Sequence, residues 1–134
     1  MASWNAETML AAMEAKADAL GVTGVMVVAR MDAVGERWES EMRVRGRSQM
    51  SFAEPNALGF TGCNFIAIAY SKAAEMATTK ANSGGGARAV HQGEFGYPGG
   101  VIATRDGGYV LAVFSGATGE QDTEISLAGM GALG

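Results

Sequence analysis

The run Tyr97-Pro-Gly-Gly-Val-Ile-Ala-Thr-Arg-Asp-Gly-Gly-Tyr-Val-Leu-Ala-Val-Phe-Ser-Gly-Ala-Thr-Gly-Glu-Gln-Asp122 decides the architecture. Two apolar runs, Val101 to Thr104 and Tyr109 to Ser115, flank Arg105-Asp106-Gly107-Gly108. Asp-Gly between such runs signals a hairpin, because a type I′ turn needs positive φ at both central residues. Tyr109 to Phe114 is apolar at every position, which predicts a central strand covered on both faces. Thr118 and Gln121 then stand at capping-box spacing and open a short, Gly-interrupted helix near Gln121 to Leu133.

Upstream the pattern repeats in kind. Asn5 caps a predicted helix to Leu20, with Glu7 in its first turn and Gly21 at its C-terminal end; Leu10, Met13, Ala17 and Leu20 share one face. Val22 to Met31 reads as a second strand covered on both faces. After the turn Asp32-Ala33-Val34-Gly35, Trp38, Ser40, Met42 and Val44 alternate with Arg37, Glu39, Glu41, Arg43 and Arg45. That period of two predicts a strand with one wet face, paired to the first as a hairpin. Gly46 to Asn64 shows no periodicity and reads as loop. Asn64 caps an Ala-rich helix from Phe65 to about Lys80, and Asn82-Ser83-Gly84-Gly85-Gly86 breaks the chain. The irregular stretch that follows, as far as Pro98, is long enough to predict a functional or mobile loop. Hairpins alternating with helices give α+β: one domain over residues 1–134, a central antiparallel sheet with helices on both faces.

Composition narrows the function. Of 134 residues 48% are hydrophobic and 18% charged, which suits a packed globule and not a disordered chain. A net charge of −4 leaves no footprint for nucleic acid or an anionic membrane. Cys63 is the only cysteine and His91 the only histidine, so neither an intrachain disulfide nor an all-protein metal site is expected. Met1-Ala2-Ser3-Trp4 lacks the pattern of a secretory signal, and no apolar run approaches the roughly 20 residues of a membrane span, so the expected location is cytoplasmic. The 20 glycines and 9 methionines suit either a close-packed core or a Met-lined pocket.

Residues 97–122, and Ile66-Ala-Ile-Ala-Tyr-Ser-Lys-Ala73 before them, carry a resemblance to the GlcG/HbpS-like family, which includes PduO C-terminal-domain-like proteins. The matching positions are Gly99, Gly100, Gly107, Ser115, Gly116, Ala117, Asp122 and Gly129, with the Lys72-Ala73 pair upstream; the match runs over about residues 64–133. The turn at Arg30 to Gly35 and the loop before Asn64 depart from the family pattern. The resemblance implies a profilin-like α+β fold and a homo-oligomer. Some members bind haem or iron, one relative is fused to a cobalamin adenosyltransferase, and others sit in catabolic operons without an assigned reaction.

The candidate ligand-binding residues are Lys72, His91, Tyr97, Gly99, Gly100, Ser115, Gly116 and Asp122. His91 offers an imidazole to a haem iron, with Tyr97 or a methionine as the alternative; the plain reading is an exposed loop histidine. Gly99-Gly100 lets backbone amides approach a ligand, and Ser115-Gly116 before a helix N-terminus suits an anion; equally, both are tight turns. Arg43, Arg45 and Arg47 form a row fit for carboxylates, or else a solvated face balanced by Glu39 and Glu41. No Ser-His-Asp order or nucleophile elbow is legible. Three functions stay open: a small-molecule or haem-binding accessory protein of a catabolic or cofactor pathway, an isomerase or lyase using Lys72 or Asp122, and a ligand-free structural subunit. An enzyme is the less favoured reading, and no catalytic residue or metal site is assigned.

Overall fold

Two strands without a polar face have to lie in the middle of the sheet, and they do. The computed structural model describes residues 1–134 as α1 (Ala6–Leu20), β1 (Gly24–Asp32), β2 (Trp38–Arg45), β3 (Gln49–Ser51), β4 (Gly62–Asn64), α2 (Phe65–Thr79), β5 (Gly100–Arg105), β6 (Gly108–Ser115) and α3 (Gly119–Gly131). The main sheet is antiparallel with order β2-β1-β6-β5, so β1 and β6 are its centre. Their register runs from Val25 opposite Ser115 to Asp32 opposite Gly108. Alternate side chains then fall on opposite faces. Met26, Val28, Val110, Ala112 and Phe114 pack under α1 and α3. Val25, Val27, Ala29, Leu111 and Val113 pack under α2. The fold is α+β, with helices on both faces of a central antiparallel sheet.

The local signals act as expected at the element ends. Asn5 and Asn64 accept the backbone N–H of Thr8 and Ala67, and Thr118 forms a full capping box with Gln121. The β5–β6 turn has positive φ at Asp106 and Gly107, as a type I′ hairpin requires. Thr118 starts α3 earlier than the predicted Gln121, because Gly119 and Glu120 already lie in its first turn.

Three expectations need correction. The segment 46–64 is not all loop: β3 and β4 pair as a small separate sheet, Met50 opposite Cys63, bringing the start of α2 beside Gln49–Ser51. Such pairing is long-range and leaves no local period. The charged side of β2 is also not simply the wet one. Arg43 binds Glu7 and Glu14 of α1, and Arg45 pairs with Glu14 and Asp18, so α1 half-covers the arginine end of the charged side while Glu39 and Glu41 stay exposed. Trp38, Met42 and Val44 stay about 40% exposed on the other face, where α2 packs chiefly over β1 and β6. Finally, the arginine row is broken. Gly46, at φ 79°, turns the chain, and Arg47 leaves its neighbours to stand over the Phe65 ring at 5.3 Å.

Candidate functional site

Helix α2 buries Ser71, Lys72 and Glu75, three polar side chains that need partners where they lie. Lys72 Nζ donates to the Phe114 carbonyl and to Asp122 Oδ2, both at 2.9 Å. Asp122 Oδ1 accepts the Ala117 N–H at 3.0 Å. These side chains are 3% and 6% exposed, so the bridge is dry. Burial pushes the Lys72 ammonium down and the Asp122 carboxyl up from their ordinary values, while their mutual attraction opposes both shifts. The pair crosses the end of the sheet, tying α2 on one face to the first turn of α3 on the other.

Glycine makes that crossing possible. Gly99 has φ +124°, and a Cβ there would lie 2.7 Å from Asp122 Cβ and 2.8 Å from Lys72 Nζ. Its carbonyl accepts from Ser126 Oγ, and Gly100 N–H donates to Ser83 Oγ at 2.8 Å. Gly116, φ +138°, lies so close to β1 that a Cβ would fall 2.5 Å from the Thr23 carbonyl. Ser115 is buried beside it, opposite Val25. Lys72, Gly99, Gly100, Ser115, Gly116 and Asp122 therefore do come together, but they face one another. None of them lines any of five clefts on the protomer surface. An acid or base must reach its substrate, and this pair is spent on itself.

The other buried polar groups of α2 hold the long loop. Glu75 Oε2 accepts the Gly84 N–H at 2.7 Å, and Ser71 Oγ accepts the Phe95 N–H at 3.1 Å. Arg88 reaches Thr78 and grips both oxygens of Glu94, at 2.7 and 2.9 Å. The Glu94 carboxylate also accepts the His91 N–H at 2.9 Å. The Arg88 hydrogen bonds, then that from His91, lower the Glu94 carboxyl to about 2. His91 itself is exposed on the turn that Glu94 closes. The stretch that reads as irregular is thus a strap fastened to α2.

Its far end walls an apolar cleft of about 240 Å³ with Phe60, Cys63, Ala67, Ile68, Phe95 and Tyr97. The rings of Phe95 and Tyr97 pack against each other at a tilt of 33°, 5.5 Å between centroids. Phe60, Phe95 and Tyr97 remain 53%, 48% and 46% exposed. Tyr97 is the one sequence-named candidate in this lining. Phe60, Cys63 and Phe95 were missed, because segment 46–64 meets the strap only through the β3–β4 pairing. The one sequence signal is Pro55-Asn56, a turn pair ahead of an aromatic; in the structure Asn56 Oδ1 accepts the N–H groups of Leu58 and Phe60 and sets that turn.

No protein-family model matches the sequence, and no curated protein matches it. Solved structures do. The crystal structure of Klebsiella pneumoniae protein ORFY, a DUF336 protein, has a TM-score of 0.61 at 21% identity, covering 96% of this chain and 86% of that one. The crystal structure of a PduOC:heme complex has a TM-score of 0.60 at 18% identity, covering 94% and 89%. The chain therefore has the GlcG/PduO C-terminal-like fold, in keeping with the resemblance seen over residues 64–133.

Removing one partner of a dry ion pair strands the other. Lys72→Met is expected to cost about 3–5 kcal/mol in urea unfolding, and adding Asp122→Asn to recover part of it. Gly99→Ala, forced to positive φ against Lys72 and Asp122, should cost about 2–3 kcal/mol by the same measurement. The strap is acid-sensitive in a defined direction. Because the folded Glu94 carboxyl titrates below its ordinary 4.5, its contribution is present above 4.5 and lost as pH falls towards 2. A carboxyl NMR titration should show a midpoint near 2 for Glu94, returning towards 4.5 in Arg88→Ala.

Proposed function

We propose that the protein binds a flat, largely apolar small molecule in the Phe60–Phe95–Tyr97 cleft, with a tetrapyrrole such as haem as the first ligand to test. The observation that carries the reading is three half-exposed aromatic rings around one cleft, Phe95 and Tyr97 on a strap fixed by buried bonds and Phe60 on the β3–β4 connection facing it. Exposed aromatic surface held rigid in this way favours stacking against a planar ligand, because little ordering remains to be done on binding. The likeness of fold to a protein solved with haem supports the same class.

The lining fits part of such a ligand. A cleft of about 240 Å³ is smaller than usual for a drug-sized molecule, so a macrocycle would seat one edge and leave the rest outside. Tyr97 and Cys63 are the lining residues whose side-chain types ligate haem iron elsewhere. His91 stands on the same strap and remains the ligand named by the sequence. The anion-site candidates Ser115, Gly116, Gly99 and Gly100 would then act indirectly, by fixing where the strap ends. In this reading the protein is an accessory binder in a catabolic or cofactor pathway and not an enzyme.

Titrating haemin into the purified protein should shift the Soret band and saturate. Phe95→Ala should weaken binding by about tenfold, the worth of one stacked ring. Tyr97→Phe, Cys63→Ser and His91→Ala should identify the iron ligand by which of them changes the spectrum. An unchanged spectrum in the native protein would sink the haem reading, and full affinity in Phe95→Ala would move the ligand off this cleft.

A further inference from the structure

The two edges of the main sheet are treated differently. The outward groups at the start of β5 are answered: Ser83 N–H donates to the Gly100 carbonyl, Ser83 Oγ accepts the Gly100 N–H, and Asn82 Oδ1 accepts the Ile102 N–H. Nothing lies beyond β2. Asp32 N–H donates to the Arg37 carbonyl, in line with the register that pairs Arg30 with Glu39 and Val28 with Glu41. Hydrogen-bonded pairs alternate along an antiparallel ladder, so Glu39, Glu41, Arg43 and Arg45 spend their backbone groups on β1. Trp38, Ser40, Met42 and Val44 present theirs to the outside. The edge has no proline, no lysine and no bulge between Trp38 and Arg45, and its charges are of both signs, Glu39 and Glu41 followed by Arg43 and Arg45, so they do not repel every second strand.

We propose that this edge pairs with β2 of a second copy, antiparallel about a two-fold axis, with Met42 opposite the partner's Met42. Side-chain chemistry selects that register. Ser40 then exchanges backbone bonds with the partner's Val44, and Glu41 and Glu39 stand opposite the partner's Arg43 and the partner's Arg45. Those are the non-hydrogen-bonded positions, where side chains across a ladder come closest. A shift of two residues one way sets Glu41 against the partner's Glu41; two the other way sets Arg43 against the partner's Arg43. A shift of one residue would bring the apolar face of one strand onto the charged face of the other. Only the Met42-centred pairing is free of like-charge contacts.

Three further observations agree with it. Glu41 is exposed and its carboxylate joins no ion pair or hydrogen bond within the protomer, whereas the side chains of Glu39, Arg43 and Arg45 are all paired. Arg43, with Glu7 and Glu14 on its terminal nitrogens, still has the donor capacity of a five-proton fork for one more carboxylate. On the opposite face Trp38, Met42 and Val44 are 40%, 41% and 42% exposed, and pairing continues the sheet past them so that the Met42 side chains meet. The inference concerns the sheet edge and is independent of the ligand proposed for the cleft.

Sedimentation velocity on the native chain should show a concentration-dependent dimer that weakens as salt is raised. Glu41→Arg sets like charges opposite at two symmetric places and should raise the dissociation constant by about tenfold or more. Met42→Pro removes an outward N–H while sparing the ladder to β1, and should abolish the dimer. Should Met42→Pro fail to fold, the exposed Glu41→Arg variant still decides. In a Cys63→Ser background, Met42→Cys should cross-link into a disulfide dimer under mild oxidation while Ser40→Cys does not, since only position 42 meets itself across the axis. A chain that is monomeric at every concentration, a dimer indifferent to Glu41→Arg, or equal cross-linking of both cysteines would overturn the proposal.

Discussion

An ammonium group placed among apolar side chains must be answered on the spot, and the answer given to Lys72 organises one end of this molecule. Its partner Asp122 sits on the far side of the sheet, so the bond can form only around the strand ends, through the gap that Gly99 leaves open. Once it forms, the first turn of α3, the end of β6 and the start of β5 have fixed positions. The cost of dehydrating both charges is high, and apolar packing would give stability more cheaply. What the pair gives in addition is direction: α2 and α3 can be joined in this way at one place only. The strap then leaves Gly99 along a set course, with Ser71 and Glu75 one turn apart on α2 to receive it.

Much of this is legible in the amino-acid sequence. Tyr109 to Phe114 and Val25 to Ala29 announce the two central strands through the lack of any polar position. The caps at Asn5, Asn64 and Thr118, and the Asp106-Gly107 turn, set element ends to within a residue or two. Lys72, Gly99, Gly100, Ser115, Gly116 and Asp122 stood out for their kind and spacing, and they do share one region. Their spacing could not tell whether they face a ligand or each other. A buried lysine and aspartate look alike in sequence in either role; only the absence of space between them decides.

Other features were hidden for a different reason. The apolar cleft joins Phe60, Ile68 and Tyr97, far apart in the chain, through a three-residue strand pairing that no local period betrays. β2 misled more actively. Its alternation is real, yet the rule that charge faces water holds at Glu39 and Glu41 and fails at Arg43 and Arg45, because α1 supplies Glu7, Glu14 and Asp18 to receive the arginines. A charged face matched by a helix of opposite sign can be the inner one. The apolar face is then left half-exposed, because α2 packs chiefly over β1 and β6.

The unequal edges of the sheet also bear on how the protein can fail. A chain with two open edges can add neighbours on both sides and grow without limit. Here Asn82 and Ser83 occupy the start of β5, around Gly100 and Ile102, so a strand added on that side could pair only with the Thr104 end, whereas β2 is open along its length. The Asn-Ser dipeptide that breaks the chain after α2 thus also narrows the edge on which a fibre could grow. Loosening it would expose more of β5 and make the sheet easier to extend.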